Sequence, residues 1–306
     1  MNSGMNKGRR VPFLLAAAAF SLACFLFGPP TQAAGRAECR SIQSKLLARA
    51  VQYCVLLPPS YDSDKTRRYP VLYSLHGLGG NEQELINSGG WDLIQDLWDK
   101  KDIGEFLIVT PAADRSFYIN SRDGRVPYES FLIREFFPFI ESHYRLNAGR
   151  RNRGITGVSM GGYGALRLAF RYPQMFGSVS AHSAALIAQL PHGTLDDSSE
   201  RTVQRALGTA FGVPFDPAFW DRNSPFTIAR ASPPPNGMKI YFDCGTEDEF
   251  GFYRGAQSFH ELLASRKIPH EFHLYPGGHD WGYFVEHYPA SLEFQSRAFG
   301  FAPPAK

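Results

Sequence analysis

Short apolar runs rich in Val, Ile, Tyr and Phe alternate along the chain with longer stretches in which apolar positions recur at helical spacing. The short runs predict strands at Ser44–Leu47, Val51–Leu57, Val71–His76, Phe106–Pro111, Gly154–Gly157, Ser178–His182, Lys239–Cys244 and His270–Tyr275. The longer ones predict helices at Glu82–Lys100, Tyr128–His143, Met160–Tyr172, Phe252–Arg266 and Trp281–Phe299. Asn81 followed by Glu84 marks a helix start, and Pro138 predicts a kink or break inside the second helix. Strands alternating with helices imply an α/β fold, a mainly parallel central sheet flanked by helices on both faces. One stretch departs from this rhythm. A helical excursion at 184–237 separates two strands by far more than a usual connection and carries Phe211, Phe215, Phe219, Trp220 and Phe226. These aromatics fit a small local core or a cap over an active site.

Composition changes the picture mainly at the start of the chain. Of the 306 residues, 43% are hydrophobic and 20% charged, a globular balance. The net charge of +3 comes from 32 basic and 29 acidic residues. Lys7, Arg9 and Arg10 account for the whole excess, because residues 1–33 hold no Asp or Glu. A neutral body argues against a nucleic-acid partner bound through phosphate attraction. Val11–Phe27 is apolar, Gly28-Pro29-Pro30 ends the run, and Thr31-Gln32-Ala33 places small residues at −3 and −1 of a cleavage site. We read 1–33 as a secretory signal peptide cut after Ala33, leaving 34–306 as a single exported domain, periplasmic or extracellular, without a stable membrane anchor. Cys39, Cys54 and Cys244 then remain, and in an oxidising compartment Cys39 and Cys54 could staple the first strands.

Gly157-Val158-Ser159-Met160-Gly161 has the form Gly-x-Ser-x-Gly. Alone that is weak, but a predicted strand precedes it and a predicted helix follows it, the setting of a nucleophile elbow. A serine hydroxyl needs a base, and the base needs an acid to orient it, in the chain order Ser, Asp, His. His279 lies in the turn Gly277-Gly278-His279-Asp280 after the last predicted strand, whereas His270 and His273 fall on that strand and His287 in the final helix. For the acid, Asp248 sits in the loop after Lys239–Cys244; Asp243, Glu247 and Glu249 are the alternatives. The backbone N–H groups of Leu78, in the glycine-rich loop after Val71–Ser74, and of Met160 are the expected oxyanion donors. His76 reads as a positioning or packing residue. Trp281, Tyr283 and Trp220 are candidate substrate contacts, although Trp281 and Tyr283 equally fit the inner face of the last helix.

Taken together, Leu56-Leu57-Pro58-Pro59-Ser60-Tyr61, His76-Gly77-Leu78-Gly79-Gly80, Ser116-Phe117-Tyr118, Gly157-Val158-Ser159-Met160-Gly161-Gly162, Cys244-Gly245-Thr246-Glu247-Asp248 and Gly278-His279-Asp280-Trp281 resemble the putative-esterase family of α/β-hydrolases. That family includes S-formylglutathione hydrolase (esterase D), feruloyl esterase domains, tributyrin-type esterases and mycolyltransferases. The resemblance covers nearly all of Cys39 to Phe299. It implies an α/β-hydrolase fold, with Ser159 as nucleophile, Asp248 as acid, His279 as base and Leu78 and Met160 as oxyanion amides. It implies a serine carboxylesterase acting, without cofactor or metal, on a small-molecule or polysaccharide-linked ester. An acyltransferase moving the acyl group to a sugar alcohol would use the same residues. A catalytically silent binding module would have lost one of the three, and all three are present.

Overall fold

The computed structural model describes Met1 and residues 34–188, 205–231 and 237–302. The signal-peptide reading at 1–33 lies outside the described residues, apart from Met1, as do parts of the 184–237 excursion, at 189–204 and 232–236. The described residues from 34 onward form one compact unit. Among the described residues no helix is long and apolar enough to cross a membrane.

Eight strands form a single sheet in the order β1-β2-β4-β3-β5-β6-β7-β8. They are β1 (Arg36–Ser44), β2 (Arg49–Leu57), β3 (Val71–Leu75), β4 (Leu107–Pro111), β5 (Arg153–Gly157), β6 (Ser178–His182), β7 (Lys239–Gly245) and β8 (Glu271–Tyr275). β1 and β2 pair antiparallel, as do β2 and β4; every other pairing is parallel. The parallel strands β3, β4, β5 and β6 are buried almost throughout, because helices cover both faces. Alternate side chains therefore feed two cores. Tyr73, Val109 and Ile155 join one, while Leu72 and Ile108 join the other.

Helices among the described residues include α1 (Glu84–Asn87), α2 (Gly90–Asp99), α3 (Tyr128–Phe131), α4 (Phe137–His143), α5 (Met160–Arg171), α6 (Pro217–Asn223), α7 (Pro225–Ala231), α8 (Phe252–Ser265) and α9 (Trp281–Ala298). Ile94, Leu97 and Trp98 of α2 and Tyr288 and Leu292 of α9 pack on the face that receives Leu72 and Ile108. α5 and α8 pack on the opposite face through residues such as Leu166 and Phe259.

Three local expectations are corrected. Residues 45–48 form a turn rather than a strand, and β1 runs before it. Its alternation was hidden because β1 is an edge strand, exposed at most positions. The helix expected over Glu82–Lys100 is two, broken at Gly89, where φ is +87°. Between α3 and α4 the chain stays helical through a π segment, Leu132–Phe136, immediately before Pro138 in the first turn of α4. The wider turn accommodates the proline's missing N–H without ending the helix.

Cys39 and Cys54 face each other across β1 and β2 and are joined by a disulfide. Cys244 is free and buried, and burial pushes its thiol pKa well up. In the described part of the excursion, Phe211, Trp220 and Phe226 are buried, and Trp220 stacks on Tyr163 of α5 at 5.6 Å.

Candidate active site

The parallel strands end on one edge of the sheet, where loops collect the chemically competent side chains. Ser159 occupies the turn between β5 and α5 with φ 54° and ψ −116°, a strained conformation for a residue with a side chain. Its neighbours explain the glycines. A Cβ on Gly161 would lie 2.0 Å from the Leu75 carbonyl oxygen, and one on Gly157 would lie 2.4 Å from the Gly161 carbonyl carbon. The turn is also clamped from both adjacent strands. Val158 N–H donates to Leu75 O at 3.2 Å, Ser159 N–H donates to His182 O at 2.9 Å, and Ala185 N–H donates to Ser159 O at 3.0 Å. Twelve residues of α5 then direct their N-terminus toward this turn.

Asp248 follows β7 and is buried. Its Oδ2 accepts a hydrogen bond from His279 Nδ1 at 2.7 Å. Its Oδ1 accepts from the backbone N–H groups of Phe250 at 2.9 Å and Phe252 at 3.4 Å. A carboxylate accepts only, so the His279 proton sits on Nδ1 and Nε2 is left with a free lone pair. The loops carrying the two residues are tied directly: Glu247 N–H donates to Gly277 O at 2.9 Å, and His279 N–H donates to Glu249 Oε2 at 3.1 Å. The rings of Phe250, Phe252 and Phe284 surround the imidazole at 4.9, 5.4 and 5.5 Å. Among the described residues no hydrogen bond joins the Ser159 hydroxyl to His279.

The other acids have different places. Asp243 is buried, accepts from Tyr283 Oη at 2.8 Å, and has Oδ2 2.8 Å from His182 Nδ1. That last contact is out of line for a hydrogen bond, and among the described residues neither His182 nitrogen has one. Glu247 is exposed, and Glu249 reaches only the backbone of His279.

The loop after β3 lies against the serine: a Cβ on Gly77 would be 3.6 Å from Ser159 Cβ. His76 holds this loop. Its Nε2 accepts from Ala113 N–H at 2.9 Å, which places its proton on Nδ1, 2.7 Å from the Gly77 carbonyl. Burial pushes the His76 pKa down. Glu84 completes the support by accepting from Gly77 N–H at 3.1 Å, and burial pushes its carboxyl pKa up. The N–H groups of Leu78 and Met160 donate to no acceptor among the described residues.

Of the three aromatics singled out from sequence, Trp281 is half-buried, packed edge-on against Phe284 at 5.5 Å. Tyr283 is buried with its hydroxyl committed to Asp243, and Trp220 is buried in the excursion. Glu84, His182 and Phe250 support or flank the site without having been singled out. Phe250 carried a usable signal, an aromatic two residues beyond the expected acid in an otherwise acidic turn.

The family model described as "Putative esterase" matches residues 44–294. An esterase of Mycobacterium tuberculosis, found in two strains, is 33% identical over 247 residues, covering 74% of this chain and 51% of its own length. The chain thus spans about half the length of that relative. An acetyl esterase of Caldicellulosiruptor saccharolyticus is 25% identical over 266 residues, covering 83% of this chain and 96% of its own. A solved ferulic acid esterase matches with a TM-score of 0.75 and 28% identity over 87% of this chain and 99% of that one.

Proposed function

The chain belongs to the putative-esterase family of α/β-hydrolases, and from that membership we propose that it is an exported serine carboxylesterase using Ser159, His279 and Asp248. Ser159 Oγ attacks the ester carbonyl as its proton passes to His279 Nε2. The C–O bond to the alcohol breaks, and the same proton leaves with the alcohol oxygen, giving an acyl-serine. Water then repeats the sequence: its proton goes to Nε2, its oxygen bonds to the acyl carbon, and Ser159 is regenerated on release of the acid. Asp248 keeps His279 in the Nδ1–H tautomer and stabilises the imidazolium. The Leu78 and Met160 amides receive the negative oxygen of each tetrahedral intermediate.

The observation that carries this reading is the 2.7 Å Asp248–His279 pair on the loops after β7 and β8, on the sheet edge where Ser159 holds its strained turn. The acetyl esterase and ferulic acid esterase relatives favour acetyl or feruloyl esters linked to polysaccharide as substrates. Export is supported by the basic, then apolar, start of the chain and by the Cys39–Cys54 disulfide, a bond that persists in oxidising compartments.

The test is hydrolysis of p-nitrophenyl acetate, butyrate and palmitate, methyl ferulate and an S-acyl thioester, beside a Ser159→Ala protein. Loss of at least about four powers of ten in kcat for the variant is expected. A variant as active as the parent would remove Ser159 from its role. A folded parent inert toward every ester would bring forward acyl transfer to a sugar alcohol.

A further inference from the structure

A backbone donor stabilises a developing oxyanion only if its direction is set before the charge forms. The Leu78 N–H shares a peptide plane with the Gly77 carbonyl, and in a trans peptide the two point opposite ways. Whatever holds the Gly77 peptide groups therefore aims the Leu78 N–H. Gly77 O accepts from His76 Nδ1 at 2.7 Å and from Gly80 N–H at 3.1 Å. These contacts hold one side of the loop. Gly77, Gly79 and Gly80 leave its backbone free to pivot, and Gly79 has φ +87°. The Gly77 N–H is held by a single side chain, Glu84, whose Oε2 accepts it at 3.1 Å.

Glu84 opens α1, and its side chain turns back under the loop. A Cβ built on Gly80 would collide with the Glu84 carboxyl group. The carboxyl therefore meets the loop at two points, the Gly77 N–H and the face of Gly80. Taking a carboxyl partly out of water is costly unless something compensates it. Among the described residues no cation contributes to its pKa, so the contact with the loop is not a by-product of an ion pair. Burial pushes that pKa up, so the place tolerates a neutral acceptor.

We propose that Glu84 is a positioning residue for the oxyanion hole: by holding the Gly77 N–H and filling the space under Gly80, it fixes the direction of the Leu78 N–H. This rests on the serine-esterase reading above and adds to it a residue that touches neither Ser159, Asp248 nor His279.

The experiment measures kcat and KM for p-nitrophenyl butyrate and the inhibition constant of a trifluoromethyl ketone, whose adduct with a serine carries an oxyanion. The proteins are the parent, Glu84→Ala, Glu84→Gln, Gly80→Ala and the double variant Glu84→Ala/Gly80→Ala. Glu84→Ala is expected to lower kcat about 30-fold with KM within about two-fold, and to weaken the ketone by about the factor lost in kcat/KM. Glu84→Gln keeps an acceptor oxygen for the Gly77 N–H and is expected to return kcat to within about three-fold of the parent. Gly80→Ala displaces the carboxyl without removing it and is expected to reproduce the loss. The double variant is expected to lose no more than either single one, because the added methyl group then has room. Three results would each overturn the proposal while leaving the esterase reading intact: parental kcat and ketone affinity in Glu84→Ala, a loss confined to KM with ketone affinity unchanged, or losses that multiply in the double variant. If Glu84→Ala does not fold, Gly80→Ala and Glu84→Gln decide the matter by the same readouts. A parent inert toward both the ester and the ketone brings down both readings.

Discussion

Asp243 and Asp248 lie five positions apart in the chain, are both buried, and each approaches a histidine. Their surroundings separate them. Asp248 has one oxygen on the imidazole of a surface loop and the other on two backbone amides, so its charge is directed at His279. Asp243 lies between Tyr283, whose hydroxyl donates to it, and His182 of β6, which it approaches without a hydrogen bond; His182 O receives Ser159 N–H, and Tyr283 packs against Gly277. Asp248→Asn should therefore lower kcat by about three to four powers of ten, because the amide no longer enforces the Nδ1–H tautomer. Asp243→Asn should chiefly cost stability, about 1–3 kcal/mol, by disturbing a buried polar cluster. Measuring kcat and urea unfolding on both proteins checks this, and equal kcat losses would contradict it. Chain order and loop position singled out Ser159, Asp248 and His279 as the proposed triad, and the structure places Asp248 and His279 within hydrogen-bond distance. The supporting places of Glu84 and His182 were not legible in the sequence, because they depend on which segments the sheet brings together rather than on any local pattern, whereas Phe250 stood two residues past Asp248 in the same turn.

At the scale of elements, legibility followed burial. β3, β4, β5, β6 and β7 were read nearly to the residue because both faces are covered, so each is a continuous apolar run. β1 was misplaced because an edge strand with few buried positions offers no such run. Helix breaks were harder still, since Gly89 and Pro138 act through backbone geometry. Two glycines show how different such positions are. Gly89 has φ +87° with nothing within 4 Å of a built Cβ, so Gly89→Ala should cost about 1 kcal/mol of conformational strain. Gly161 meets backbone at 2.0 Å, and Gly161→Ala must push α5 away from β3. We expect a loss of about 3 kcal/mol or more there, with activity falling as the elbow opens. Urea midpoints of the two proteins, measured beside hydrolysis rates, check the contrast; similar losses at both sites would refute it.

For the molecule as a whole, the balance of charge after residue 33 makes net repulsion a weak lever near neutral pH, so individual buried groups set the pH response. Burial lowers the pKa of His76 and of His270 below the ordinary 6.5. The unfolded chain then takes protons first on acidification, so the stability these two contribute is complete above about pH 6.5 and is lost as pH falls toward their folded values. Glu84 acts in the opposite sense, because burial raises its carboxyl above 4.5 and protonation relieves the folded state. Glu129 enters lower down. Burial pushes it up, but Arg167, Tyr172 and Arg171 outweigh that and hold it below 4.5, so its contribution is lost only under acid. Two histidines against one glutamate predict an unfolding free energy that declines from about pH 6.5 toward 5 and falls further below about 4.5. Urea titrations of the disulfide-bonded protein between pH 4 and 8 measure it. His76→Asn should start less stable, because the Ala113 and Gly77 contacts are weakened, yet decline less steeply between pH 6.5 and 5. A parental profile that is flat across that interval, or a variant with the parental slope, would show that His76 does not carry the response.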